Sequence, residues 1–143
     1  MNVTLFHRNL VDTARANGSF TVLCEAWAIV DLTEVLKGSG PYTVFAPTDA
    51  AFRKLPSGVM QFWARPENKI KLIGILRYHI TPGRVSASEL AVQSELRTLN
   101  GATAPIRHDR EGTSVDGAYL TQTDIESGNG VIHVIDQVML PKG

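Results

Sequence analysis

The sequence predicts an α+β domain, and three observations carry that prediction. Segments with helix start and stop signals fill most of the first half of the chain. A β-branched and aromatic run, Tyr42-Thr43-Val44-Phe45-Ala46, interrupts them and leads directly into a helix start at Pro47-Thr48-Asp49. Beyond residue 91 the pattern changes to short β-prone runs. These are separated by Asn100-Gly101, Asp116-Gly117 and Asn129-Gly130, dipeptides suited to tight turns between antiparallel strands.

Taken in chain order, Asn9 is placed to cap a helix over LVDTARAN that Gly18 ends, because glycine adopts the left-handed conformation of a helix stop at no steric cost. Ser19 is expected to cap FTVLCEAWAIV, in which Phe20, Leu23, Cys24, Trp27 and Val30 recur at helical spacing and form one buried stripe. Thr33 starts a further turn of helix, stopped by KGSGP. After the strand at 42–46, Pro47 ends the extended run and Thr48 stands at a helix N-cap. Asp49 follows at the first helical position, where its carboxylate suits the helix dipole. Ser57 is expected to cap GVMQFWA. Residues 66–77 read as a helix whose Ile70, Leu72, Ile73, Ile75 and Leu76 cover more than one face, so deep burial is expected. Tyr78-His79 falls where that helix gives way to extended chain before Pro82-Gly83. A short helix is expected at Ser86 to Ala91. The last strand, residues 131–138, is apolar on both faces at its start, which places it inside a sheet.

At 143 residues with no visible linker, residues 1–143 form one domain, long enough to bury a core without metals or disulfides. Fourteen basic residues balance fourteen acidic ones, which argues against an electrostatic nucleic-acid or membrane binder. Arg107 and Arg110 are interrupted by Asp109 and Glu111, as expected of a solvated mixed-charge surface. Cys24 is the only cysteine, so no intramolecular disulfide can form, and its helical face marks it as a small buried hydrophobe. The segment MNVTLFHRNLVDTARANG has no basic stretch followed by an apolar run, and nothing in the chain approaches the length of a membrane span.

Three separated blocks together resemble the fasciclin domain family: Gly40 to Phe52 (GPYTVFAPTDAAF), Leu76 to Gly83 around Tyr78-His79, and Asn129 to Asp136 (NGVIHVID) running on to Pro141. Gly18-Ser19-Phe20 matches the family's usual helix junction, so the resemblance covers nearly the whole chain, as in the single-domain, bacterial-type members. It implies a β-wedge of two sheets, roughly seven strands in all, with several short helices packed along one side. It also implies a non-catalytic role in cell adhesion, at the cell surface or in the extracellular matrix, without cofactor. The expected partner is a cell-surface or matrix protein or polysaccharide, met by a monomer that is secreted, periplasmic or surface-bound. The Tyr78-His79 pair, flanked by Ile75, Leu76 and Ile80, resembles the family's adhesive motif. Asp124-Ile125 occupies the place of a second, acidic-apolar motif, without the flanking Pro and Met of animal versions.

An enzymatic alternative makes His79 or His133 a general base for a hydroxyl or thiol, with Asp49 or Asp136 orienting it, in a small-ligand or hydrolase pocket. No G-x-S-x-G, H-E-x-x-H, C-x-x-C or glycine-rich phosphate loop accompanies those residues. His7, His79, His108 and His133 are too far apart in sequence for a local metal pair, and no structural metal is expected. The structural readings are a capping pair at Thr48-Asp49, a positive-φ turn at Asn129-Gly130, and a hydrogen-bonded core residue at His133. For Tyr78-His79 the structural reading is an internal clasp, because aromatic anchors in apolar surroundings are usually inside. Asn2-Val3-Thr4 and Asn17-Gly18-Ser19 match the glycosylation sequon.

Overall fold

A computed structural model describes residues 9–141. The sequon at Asn2 and His7 lie outside the described residues. Helices α1 (Leu10–Asn17), α2 (Thr21–Ile29) and α3 (Thr33–Leu36) precede strand β1 (Tyr42–Pro47). Then come α4 (Asp49–Arg53), α5 (Val59–Trp63), a 3-10 turn (Pro66–Asn68), α6 (Lys69–Arg77), β2 (Ile80–Pro82) and α7 (Ala87–Leu90). Five strands complete the domain: β3 (Glu95–Arg97), β4 (Thr103–Asp109), β5 (Gly112–Val115), β6 (Ala118–Ser127) and β7 (Gly130–Ile135).

The seven strands are hydrogen-bonded in the order β2-β1-β7-β6-β5-β4-β3. β6 serves both halves of the wedge: Ala118 and Tyr119 pair with β5, and Leu120 to Ser127 pair with β7. Beyond β3, the Leu99 N–H donates to the Ile80 carbonyl at 2.8 Å, which draws the two ends of the sheet together into a near-barrel. β1 and β7 lie parallel, with Phe45 opposite His133.

Burial explains why these two strands are apolar on both faces. Val44 and Ala46 of β1, with Ile132 and Val134 of β7, face a cluster built with helical residues such as Leu23, Trp27, Leu72 and Leu76 and with Phe20 at the start of α2. Phe45 and Ile135 face the opposite way, into a second cluster with Tyr78, Leu96, Ile106, Val115 and Met139. Helices therefore cover one face and the β3–β5 half of the sheet covers the other, so period-2 alternation inverts which core a residue joins without exposing either set.

Local signals hold where the partner is local. The Asn9 side chain accepts from the Asp12 N–H, Gly18 ends α1 at φ 83°, and Thr48 accepts from the Ala51 N–H. Ser86 and Glu89 form a reciprocal capping box on α7. Several expectations are corrected. Ser19 does not cap α2; Phe20 holds the cap position without a side-chain bond. Gly58, not Ser57, precedes α5. The helix over 66–77 is a 3-10 turn followed by α6, and it is not buried all round, since Ile70 is 86% exposed. β7 stops at Ile135, three residues short of the expected end. Cys24 is half-buried, and burial pushes its thiol above the ordinary pKa.

Candidate functional site

The end of α6 sets the Tyr78-His79 junction. Leu72, Ile75 and Leu76 anchor the helix in the core, and the Tyr78 N–H closes its last turn on the Gly74 and Ile75 carbonyls. Both rings then turn inward, Tyr78 being 3% and His79 2% exposed, in an edge-to-face arrangement at 6.4 Å. The Tyr78 hydroxyl donates to the Asp116 carboxylate at 2.9 Å, tying α6 to the β5–β6 turn. Burial, and secondarily that bond, raise the phenol well above its usual pKa.

His79 is satisfied on both nitrogens. Nδ1 lies 2.8 Å from the Ile75 carbonyl, and Nε2 lies 2.8 Å from the Met139 N–H. Only a neutral ring protonated at Nδ1 can donate to the first and accept from the second. Burial pushes the pKa down to about 4, against the smaller opposing effect of the Ile75 carbonyl. The pair thus joins the end of α6 to the β5–β6 turn and to the segment that follows β7, and neither ring offers a face to solvent.

The second neighbourhood is a bulge in β6. Its register against β7 shifts between Gln122 and Ile125, and Asp124 sits there at φ 58°. The Asp124 N–H donates to Nδ1 of His133 at 3.1 Å, and Nε2 of His133 lies 2.7 Å from the Val85 carbonyl. His133 is fully buried, tilted against Phe45 at 5.6 Å, and neutral with its proton on Nε2 by the same reasoning. The Asp124 carboxylate accepts from the Ala87 N–H at 3.0 Å, at the start of α7. Asp124 and Glu126 are exposed, while Ile125 is half-buried against the helical core.

Arg84 completes this neighbourhood, and nothing in its sequence context marks it. Its guanidinium donates to the Glu126 carboxylate at 2.6 Å and to the Gly130 and Ser127 carbonyls at 2.7 and 3.2 Å, clamping the β6–β7 turn. Thr43 holds the other side of the same loop, donating to the Gly83 carbonyl and accepting from the Val85 N–H.

Thr48-Asp49 and Asn129-Gly130 do more than local geometry predicts. The Asp49 carboxylate reaches across to α2, accepting from the Val22 N–H at 2.8 Å and the Thr21 hydroxyl at 2.6 Å, so it caps the helix assigned to Ser19. Gly130 does not supply a positive φ. It is the first residue of β7, and a Cβ there would collide with the Tyr42 carbonyl oxygen, so glycine is needed for the close approach of β1. Asn129 is 8% exposed and acts as a hub. Its amide donates to the Leu36 and Gly38 carbonyls at 2.7 and 2.6 Å, and its Oδ1 accepts from the Leu10 N–H at 2.9 Å.

These bonds bear on the enzymatic alternative. The hydrogen bonds of both core histidines run to backbone groups, and the two carboxylates considered as orienting acids face elsewhere: Asp49 caps α2, and Asp136 accepts from the Tyr119 N–H at 2.9 Å. Neither histidine lines the clefts of about 430, 330 and 270 Å³ on the helical side. Among the described residues, no group of three or more His, Cys, Asp or Glu side chains is placed to hold a metal ion, and no helix is long and apolar enough to cross a membrane.

Against known proteins, the Fasciclin domain family model matches residues 18–141. Protein sll1483 of Synechocystis sp. is 43% identical over 133 residues, spanning 92% of this chain and 73% of that protein. Cell surface glycolipoprotein MPB83 of Mycobacterium bovis is 36% identical over 112 residues, spanning 78% of this chain and 49% of that protein. Among solved structures, a FAS1 domain pair from the insect cell adhesion molecule Fasciclin I superposes with a TM-score of 0.61. That likeness covers 87% of this chain and 46% of the other at 22% identity, a similarity of fold.

Proposed function

The chain belongs to the fasciclin domain family, and from that premise we propose that it is a non-catalytic adhesion or protein-interaction module at the cell surface or in the extracellular matrix. A mycobacterial relative is named a cell surface glycolipoprotein, and the structural neighbour comes from an insect cell adhesion molecule. The observation that carries the reading is the commitment of His79 and His133: each imidazole spends both nitrogens on internal hydrogen bonds, so neither is free to take a proton from a substrate.

The Tyr78-His79 pair acts in this reading through stability, since its rings are inside. The contact surface is the bulge of β6, where Asp124 and Glu126 are exposed and Ile125 is half-buried between them, held by Arg84. A bulge that turns an acidic pair outward on a rigid sheet suits a protein or polysaccharide partner met from outside the cell. The module works as a monomer in a secreted, periplasmic or surface location.

Genetic complementation tests this. Deleting the gene lowers adhesion of the cells that carry it, and the parent gene restores it. A gene encoding Asp124→Asn with Glu126→Gln, which keeps the hydrogen-bond acceptors and removes the charge, fails to restore it at equal protein level. Unchanged adhesion after deletion contradicts the adhesive role; full restoration by the double variant contradicts the assigned surface.

A further inference from the structure

On the helical side, away from the β6 bulge, a cleft of about 430 Å³ opens between α5, α6 and the segment after β7. Its size lies at the lower end of the roughly 300–1,000 Å³ typical of small-molecule sites. Trp63 and Ile75 are buried in its floor, and Ile70 and Leu140, 86% and 48% exposed, leave bare apolar surface on its walls. Its polar side chains are donors. Lys71 has no carboxylate within ion-pair distance among the described residues, whereas Lys69, two residues earlier, is paired with Asp31 at 3.0 Å. The Asn100 carbonyl is consumed by the Ala102 N–H and the Thr98 hydroxyl. One of its two amide hydrogens is used at 3.3 Å on the Gly74 carbonyl, leaving the other to donate.

We propose that this cleft binds a single-chain amphiphile with a carboxylate head, the chain lying along Trp63, Ile70 and Leu140 and the head on Lys71 and Asn100. An apolar trough alone would take any oily molecule. A rim whose free polar groups are an ammonium and an amide N–H selects a head that accepts hydrogen bonds and carries negative charge. The site is separate from the surface assigned to adhesion, so the two stand or fall independently.

The test is fluorescence titration of the full chain with decanoate and, separately, decanol, both below their aggregation thresholds. Trp27 is enclosed in the core at 1% exposure, so the responding indole is Trp63. Saturable quenching or enhancement by decanoate is expected, at least fivefold tighter than by decanol and absent from the Trp63→Phe protein. Lys71→Gln, at an exposed position, is expected to bring decanoate affinity down to that of decanol. Ile70→Asp is expected to weaken both. Absence of a saturable response to decanoate, equal affinity for decanoate and decanol in the parent, or decanoate binding untouched by Lys71→Gln would each overturn the proposal.

Discussion

Replacing Asn129 by Asp changes one NH₂ group into an oxygen and leaves the shape of the side chain intact, yet it is expected to be among the most damaging single changes in the domain. The parent amide donates to the Leu36 and Gly38 carbonyls at 2.7 and 2.6 Å while Oδ1 takes the Leu10 N–H, an amide in the unpaired first turn of α1. One side chain thereby fastens the start of α1 and the end of α3 to the β6–β7 turn. Asp retains the bond from Leu10 and loses both donors, bringing a carboxylate oxygen against two carbonyl oxygens. Leaving a buried polar group unpaired costs about 1–3 kcal/mol. The Leu36 carbonyl is fully enclosed and the Gly38 carbonyl partly so. Together with the repulsion this amounts to about 3–4 kcal/mol, or roughly a 10 °C fall in melting temperature for a chain of this length. Asn129→Ala, which strands the Leu10 N–H as well, is expected in the same range. Urea and thermal unfolding followed by circular dichroism measure both. An Asp variant within about 1 kcal/mol of the parent would refute the assignment of Asn129 as the hub.

Two further perturbations follow from buried polar groups. His79 is neutral in the fold with its pKa near 4, while an unfolded chain carries it near 6.5. Above pH 6.5 neither state is protonated and its contribution is whole; from 6.5 down to 4 the unfolded chain binds the extra proton, so stability falls by about 3 kcal/mol. Subtracting the pH profile of His79→Gln isolates this slope, and a zero difference over that window would contradict a neutral, buried imidazole. At the start of α2, Asp49→Ala is expected to cost about 1–2 kcal/mol while Ser19→Ala stays within about 0.5, and at the start of α4 Thr48→Ala is expected to cost about 1. Chemical denaturation distinguishes these, and a Ser19 effect equal to that of Asp49 would return the cap of α2 to Ser19.

How much was legible in the sequence depended on how far each residue's partner lies. Asn9, Gly18 and Thr48 act within their own helix ends, so sequence spacing suffices to assign them. The apolar two-faced character of β1 and β7 is also written locally, and it placed β7 correctly inside the sheet. Asp49 caps a helix 27 residues away, and Asn129 reaches across 93 and 119 residues, distances at which no spacing rule operates. Ile70 shows the limit of periodicity: the pattern identifies an apolar residue on α6 but does not say whether anything covers that side. The apolar flanks of Tyr78-His79 pointed to an interior position, yet the groups that receive the rings, Asp116 and the Met139 amide, belong to elements formed much later in the chain. Arg84 is invisible for the same reason, because its carbonyl partners are backbone and carry no residue signature.

In the proposed function, adhesion is carried by the outward bulge of β6, and the Tyr78-His79 junction supports it from inside. The most direct measurement is binding of the purified domain to the surface of the cells that carry its gene, made below the melting temperature of every variant. Tyr78→Phe loses the bond to Asp116, and with it about 1–2 kcal/mol of stability, but is expected to bind as the parent does. Asp124→Asn with Glu126→Gln is expected to melt with the parent and bind at least fivefold more weakly. Loss of binding by folded Tyr78→Phe, with full binding by the bulge variant, would place the contact at the Tyr78-His79 junction and contradict this division of roles.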